Sequence, residues 1–136
     1  MTTKGSCLCG EIKYEFEGEP EVKALCHCLD CQKHAGSAYS TNVVIKDDQF
    51  KLTSGTPKSY DALGNSGKVN KHFFCGNCGS SVFNKLDVME GMTVIKAGGL
   101  DDGKADLKNI GVEFYAKDRV SFAKEVEGAK QVQMFG

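Results

Sequence analysis

Seven cysteines in 136 residues fall into three tight groups: "CLC" at 7–9, "CHCLDC" at 26–31 and "CGNC" at 75–78. Nothing else in the chain limits its fold so strongly. An odd number of thiols leaves one over in a closed disulfide framework. Close spacings in a reducing compartment point to metal instead. A redox pair at "CLDC" or "CGNC" would need a strand-to-helix unit, and neither stretch sits in an obvious one.

The segments between the groups read as short strands. "EIKYEF" (11–16) alternates, with Ile12, Tyr14 and Phe16 on one face and charges on the other, which is a half-buried strand. "YSTNVVIK", "QFKLTS", "MTVIKAG" and "IGVEFYAK" are rich in β-branched and aromatic residues, and "HFFC" runs through "GNCG" into "SSVFNKL" as a hairpin. Helix signals are confined to a short turn at 29–35 and another near 104–109. "LGNSGK" (63–68) reads as an exposed loop. Sixteen glycines against two prolines fit many tight turns. The expectation is one mostly β domain over 1–136, with the aromatics in the sheet core.

Charge narrows the function. A formal net charge of −1 gives no global pull toward nucleic acid or an anionic membrane, and Arg119 is the sole arginine, so the bidentate phosphate fork is nearly absent. No segment approaches membrane-spanning length, and the N-terminal stretch lacks an apolar run. The chain is expected to be cytoplasmic, with no nucleic-acid or membrane partner; its oligomeric state is not legible.

Zinc takes thiolates in a tetrahedron, and ligands two or three apart along a turn reach one ion together. Seven ligands partition most simply into four plus three: Cys7 and Cys9 with Cys75 and Cys78, leaving Cys26, Cys28 and Cys31. Gly76 and Gly79 would let backbone amides face the sulfurs of the "CGNCG" turn. Spacing does not force this pairing. Cys28 and Cys31 can equally join Cys75 and Cys78 as in a zinc ribbon, and His27 or His34 can complete a four-ligand central site. His27, lying between two ligands, would point away from a metal bound by both; His34 is better placed. "CGE" followed by "CLDC" imitates zinc nucleobase deaminases, but Glu11 opens a strand rather than a helix and no proline precedes Cys28, which excludes that reading.

Together "GSCLCGEIKYEFEG", "CHCLDCQKHAG" and "KHFFCGNCGSSVF" resemble the glutathione-dependent formaldehyde-activating enzymes and the related centromere protein V domain, in order and spacing from Gly5 to about Ala129. The resemblance implies a small zinc-binding β-tent fold of several short antiparallel sheets. It implies two zinc ions per chain, a structural one on Cys7, Cys9, Cys75 and Cys78, and one with an open position on Cys26, Cys28 and Cys31, which would be the catalytic cysteines. It implies a carbon–sulfur lyase resembling S-(hydroxymethyl)glutathione synthase, acting on glutathione and formaldehyde or a related thiol adduct. Many members carry an arginine before the phenylalanine–cysteine pair, where this chain has Lys71 and His72.

Three thiolates on Zn²⁺ carry a net charge of about −1, which makes a poor generator of hydroxide but a good acceptor for a soft thiol. Lys33, His34, Lys71 and His72 are the candidates for offsetting that charge or holding substrate carboxylates. The competing reading is a non-catalytic zinc-binding module for protein interaction, since fold membership alone does not settle function.

Overall fold

The alternation read from residues 11–16 is realised in a computed structural model that describes residues 1–135. Eleven strands form among the described residues: β1 (Thr2–Ser6), β2 (Lys13–Glu17), β3 (Val22–Cys26), β4 (Ser40–Lys46), β5 (Phe50–Ser54), β6 (Lys58–Leu63), β7 (Val69–Phe74), β8 (Ser81–Leu86), β9 (Met92–Lys96), β10 (Val112–Phe114) and β11 (Lys130–Val132), with one short α-helix, α1 (Leu29–Ala35), and four single-turn 3-10 helices. They make a three-stranded antiparallel sheet, β1-β2-β5, and an eight-stranded sheet ordered β11-β10-β3-β4-β9-β8-β7-β6. The expected mostly β fold is what forms. One edge departs from antiparallel pairing: β10 lies parallel to both β3 and β11.

The two sheets share a core. Ile12, Tyr14 and Phe16 meet Val43, Ile45, Val82, Phe83 and Ile95, all buried, and the aromatic contacts run Tyr14–Phe50–Phe83–Phe73. Phe73 stacks on Phe83 with ring centroids 4.4 Å apart. Within the three-stranded sheet the Tyr14 ring lies over its cross-strand partner Gly5, where a Cβ would stand 2.4 Å from the ring.

Because side chains alternate along a strand, the eight-stranded sheet has a second face. Val43, Ile45, Ile95 and Phe83 point into the core. Asn42 and Val44 of β4, Val94 and Lys96 of β9, and Asn84 and Leu86 of β8 line a cavity instead. That polar-bearing face is what positions the site.

The helical turn expected near 104–109 does not form. Residues 101–109 are a run of turns, and Asp102 and Asn109 sit at φ 57° and 59°, a left-handed conformation that an α-helix cannot carry through. The "LGNSGK" segment closes the β6–β7 hairpin through Gly64 N–H to Lys68 O (2.9 Å), with Gly67 at φ 80°. No helix is long and apolar enough to cross a membrane among the described residues.

Candidate metal centres and the adjoining cavity

The sulfurs gather as four and three. Within Cys7, Cys9, Cys75 and Cys78, and again within Cys26, Cys28 and Cys31, all ligand atoms lie within 4.8 Å of one another. In a tetrahedron with metal–sulfur bonds of about 2.3 Å, sulfurs stand about 3.8 Å apart. The observed Cys7–Cys9 and Cys9–Cys75 separations of 3.6 and 3.8 Å fit that demand in the first cluster, and the compactness of the second is likewise compatible with a metal ion.

The four-sulfur cluster is built from two tight turns. After β1, Gly10 at φ 80° closes the first, with its N–H donating to Cys7 O; after β7, Gly79 at φ 79° closes the second, donating to Cys75 O. Backbone amides converge on the sulfurs: Ile12 N–H on Cys7 (3.2 Å), and Asn77 and Cys78 N–H on Cys75 (3.4 Å each). The Ser80 hydroxyl, 3.2 Å away, and the Ser80 amide hold the Cys78 thiol down at about 5. Gly79 takes a left-handed conformation in this turn. At Gly76 a Cβ would meet the Lys58 side chain at 2.9 Å. Cys7 and Cys75 belong to the hydrophobic core. Four ligands in that setting saturate a tetrahedral ion.

The three-sulfur cluster spans the end of β3 and the start of α1. Cys28 is the N-cap, its Sγ accepting from Cys31 N–H at 3.2 Å, and Gly36, left-handed at φ 61°, ends the helix with its N–H on Gln32 O. The neighbouring thiols of Cys26 and Cys28 hold the Cys31 sulfur far below the usual thiol range, helped by Lys96 and Ser40. Burial opposes the shift. All three sulfur-bearing residues line a cavity of about 290 Å³.

The cavity has an apolar wall of Ala24, Val44, Val94, Leu86 and Phe114. A band of polar residues, Asn42, Lys96, Asn84 and Asn70, crosses β4, β9, β8 and β7 on the same side. Lys96 is 9% exposed, and its Nζ donates to Asn42 Oδ1 at 2.8 Å. Burial pulls its pKa down, while Cys31, Cys26 and Cys28 push it back up. Asn65 of the β6–β7 turn donates to the Tyr115 hydroxyl at 2.7 Å on the rim. Tyr115 holds a left-handed φ of 56° there, strain of a kind that persists only when its surroundings fix it.

The four candidate substrate-holding residues separate. Lys33 is exposed on α1, and Lys71 pairs with Asp61 at 3.5 Å; neither lines the cavity. His34 and His72 pack against each other, ring centroids 4.1 Å apart. His34 Nε2 bonds Ser81 Oγ (2.9 Å), so the ring is directed to β8 and is not gathered with the three sulfurs. Burial, then His34 and Lys96, lower His72 to about 4. Neutral His72 thus offers Nδ1 as an acceptor to Asn84 Nδ2 (3.2 Å). His27 points away from the sulfurs, as its place between two ligands implies, and bonds the buried Glu113 at 2.8 Å. Although burial pushes Glu113 up, contacts from Gln131, the Val126 amide, His27 and Arg119 hold its carboxyl at about 2.

Lys96 and the asparagine band escaped the sequence reading. The available signal was a polar residue interrupting an otherwise β-branched strand, as Asn42 does in "STNVVIK" and Lys96 in "MTVIK".

Comparison with known proteins agrees with this architecture. The family model described as glutathione-dependent formaldehyde-activating enzyme matches residues 2–118. No curated protein matches the chain. A crystal structure of a Rhodobacter sphaeroides protein, a structural-genomics target, aligns at TM-score 0.59 and 20% identity, covering 72% of this chain and 87% of that one. At that identity the likeness concerns the fold.

Proposed function

The chain belongs to the glutathione-dependent formaldehyde-activating enzyme family, and we propose that it is a single-domain, zinc-dependent carbon–sulfur lyase that joins glutathione and formaldehyde reversibly as S-hydroxymethylglutathione. The carrying observation is the contrast between the two clusters. One has four sulfurs anchored on the core through Cys7 and Cys75; the other has three and faces a cavity.

In this reading Cys7, Cys9, Cys75 and Cys78 hold a structural zinc, and Cys26, Cys28 and Cys31 hold a second. Bound at the three-cysteine site, zinc supplies a soft Lewis acid with a position for an incoming thiol, whose acidity it raises. The protein's own groups do the rest. Lys96 offsets the negative charge of three thiolates and a fourth sulfur. The wall of Val44, Val94, Leu86 and Phe114 limits water around the reacting atoms, which strengthens those charge interactions. Carbon–sulfur bond formation moves the carbonyl π pair of formaldehyde onto its oxygen, which takes up a proton; the reverse reaction expels formaldehyde. Holding both reactants in one cavity turns a bimolecular step into an effectively unimolecular one. Seven free thiols suit a cytoplasmic, reducing setting.

The test is exchange between free and adduct glutathione, followed by NMR at equilibrium with formaldehyde. Zinc-loaded wild-type protein is expected to accelerate exchange and Cys28→Ser is not. No acceleration by the wild type would sink the enzymatic reading and leave a non-catalytic zinc-binding interaction module in its place.

A further inference from the structure

The polar band on the cavity face has two unmatched ends. Asn84 is 2% exposed, and its amide nitrogen is committed twice, to Asn70 Oδ1 at 3.0 Å and to His72 Nδ1 at 3.2 Å. With the nitrogen so engaged, the carbonyl oxygen is the free end of the side chain. Its carbonyl oxygen, Oδ1, is buried and has no hydrogen-bond partner. Buried polar atoms in folded proteins nearly always find one, so this orphan acceptor, on a residue that lines the cavity, asks for a donor from outside the chain.

Lys96 presents the converse. An ammonium carries three N–H donors. One goes to Asn42 Oδ1, and no carboxylate lies within ion-pair reach of Nζ among the described residues. The register sets Asn84 of β8 opposite Val94 of β9, so Lys96, two residues further on, projects from the same face on the neighbouring strand. Both residues line the cavity that the three sulfurs face.

We propose that Lys96 and Asn84 together form a hydroxyl-binding subsite that recognises the hydroxymethyl oxygen of a thiol–formaldehyde adduct, with the adduct's sulfur at Cys26, Cys28 and Cys31. The inference rests on the function proposed above and specifies which atom of the adduct the protein reads. A hydroxyl group accepts from Lys96 and donates to Asn84 Oδ1, satisfying both ends. A carboxylate cannot do this. It has no proton for Asn84 and would bring a second negative charge beside three thiolates. The hydroxyl of the adduct is one carbon from its sulfur, so a sulfur seated at the cysteine cluster carries the oxygen into the same cavity.

The experiment uses the full, zinc-loaded chain in an equilibrium mixture of glutathione and formaldehyde, with S-methylglutathione as the analogue lacking only the oxygen. Ligand-observed NMR titration gives the relative affinities of adduct, analogue and free glutathione. Wild type is expected to prefer the adduct over the S-methyl analogue by at least about tenfold, as sites that hydrogen-bond a hydroxyl do. In Asn84→Leu that preference should fall toward unity while bound zinc and free-glutathione affinity stay at wild-type values. Lys96→Met should erode the same preference, and it decides the matter if Asn84→Leu fails to retain zinc. Equal binding of adduct and analogue by wild type, or an undiminished preference in the variants, overturns the subsite. If wild type binds no glutathione at all, it is the proposed function that fails, and the two failures are distinguishable in one titration.

Discussion

The two cysteine clusters differ in what they tie together, and serine substitution should expose the difference. A metal joining Cys9 to Cys75 bridges residues 66 apart in sequence. In the chain-entropy treatment of cross-links, closing a loop of that length removes about 4 kcal/mol of unfolded-state entropy at 25 °C. Joining Cys26 to Cys31 closes five residues and is worth only about 2 kcal/mol. Cys75 is fully buried, so Cys75→Ser also leaves a hydroxyl in the core at a further cost of about 1–3 kcal/mol. Where the remaining Cys7, Cys9 and Cys78 release the ion, the total of about 5–7 kcal/mol rivals the usual domain stability of about 5–15 kcal/mol. Cys28→Ser keeps a good N-cap on α1 and loses at most about 2 kcal/mol. Thermal melts by circular dichroism, with zinc per chain measured on the same samples, should show Cys75→Ser largely unfolded. Cys28→Ser should be folded, with a melting point lowered by about 10 °C or less. Equal losses in the two variants would refute the division into a core-spanning and a local site.

Three further outcomes are expected. Metal analysis of fully loaded protein should give two zinc ions per chain, and a chelator should strip the three-cysteine site first because it offers fewer ligands; a single zinc would refute the two-site reading. His72 is held at about 4 against an ordinary 6.5, so the unfolded chain binds more protons between those values, and stability present above pH 6.5 drains as pH falls. Denaturant titrations should show about 2 kcal/mol lost between pH 7.5 and 5, with a flatter profile in His72→Asn. Gly5→Ala should cost about 1–3 kcal/mol through the Tyr14 clash, whereas Gly98→Ala, with nothing within 4 Å of the added carbon, should stay within about 0.5 kcal/mol of wild type in the same titration.

Local chemistry was written plainly in the sequence. The alternation of Ile12, Tyr14 and Phe16 gave β2 and its buried face, and the β7–β8 hairpin followed from aromatic runs flanking a glycine turn. The short helical turn read at 29–35 emerged as α1, and the structure added its cysteine cap and glycine stop. Each of these depends on neighbours a few residues away. β3 and β6 gave no comparable signal: "VKALC" and "KSYDAL" lack a clean alternation, and their pairing partners decide them. The parallel placement of β10 beside β3 joins residues nearly ninety positions apart, about which local pattern is silent.

The site divides in the same way. Which residues could ligate a metal was legible, because thiols two or three apart can be gathered by a single turn. Their division into four and three required the chain to bring Cys9 against Cys75, and only the packing of the two sheets does that. Lysines beside the motifs looked equally available in sequence, yet Lys33 faces solvent and Lys71 pairs with Asp61, while the unremarked Lys96 faces the cavity. The reason is the two-residue period of a strand. It tells which side chains share a face, but whether that face meets a core or a cavity is fixed by the strands that come to lie beside it.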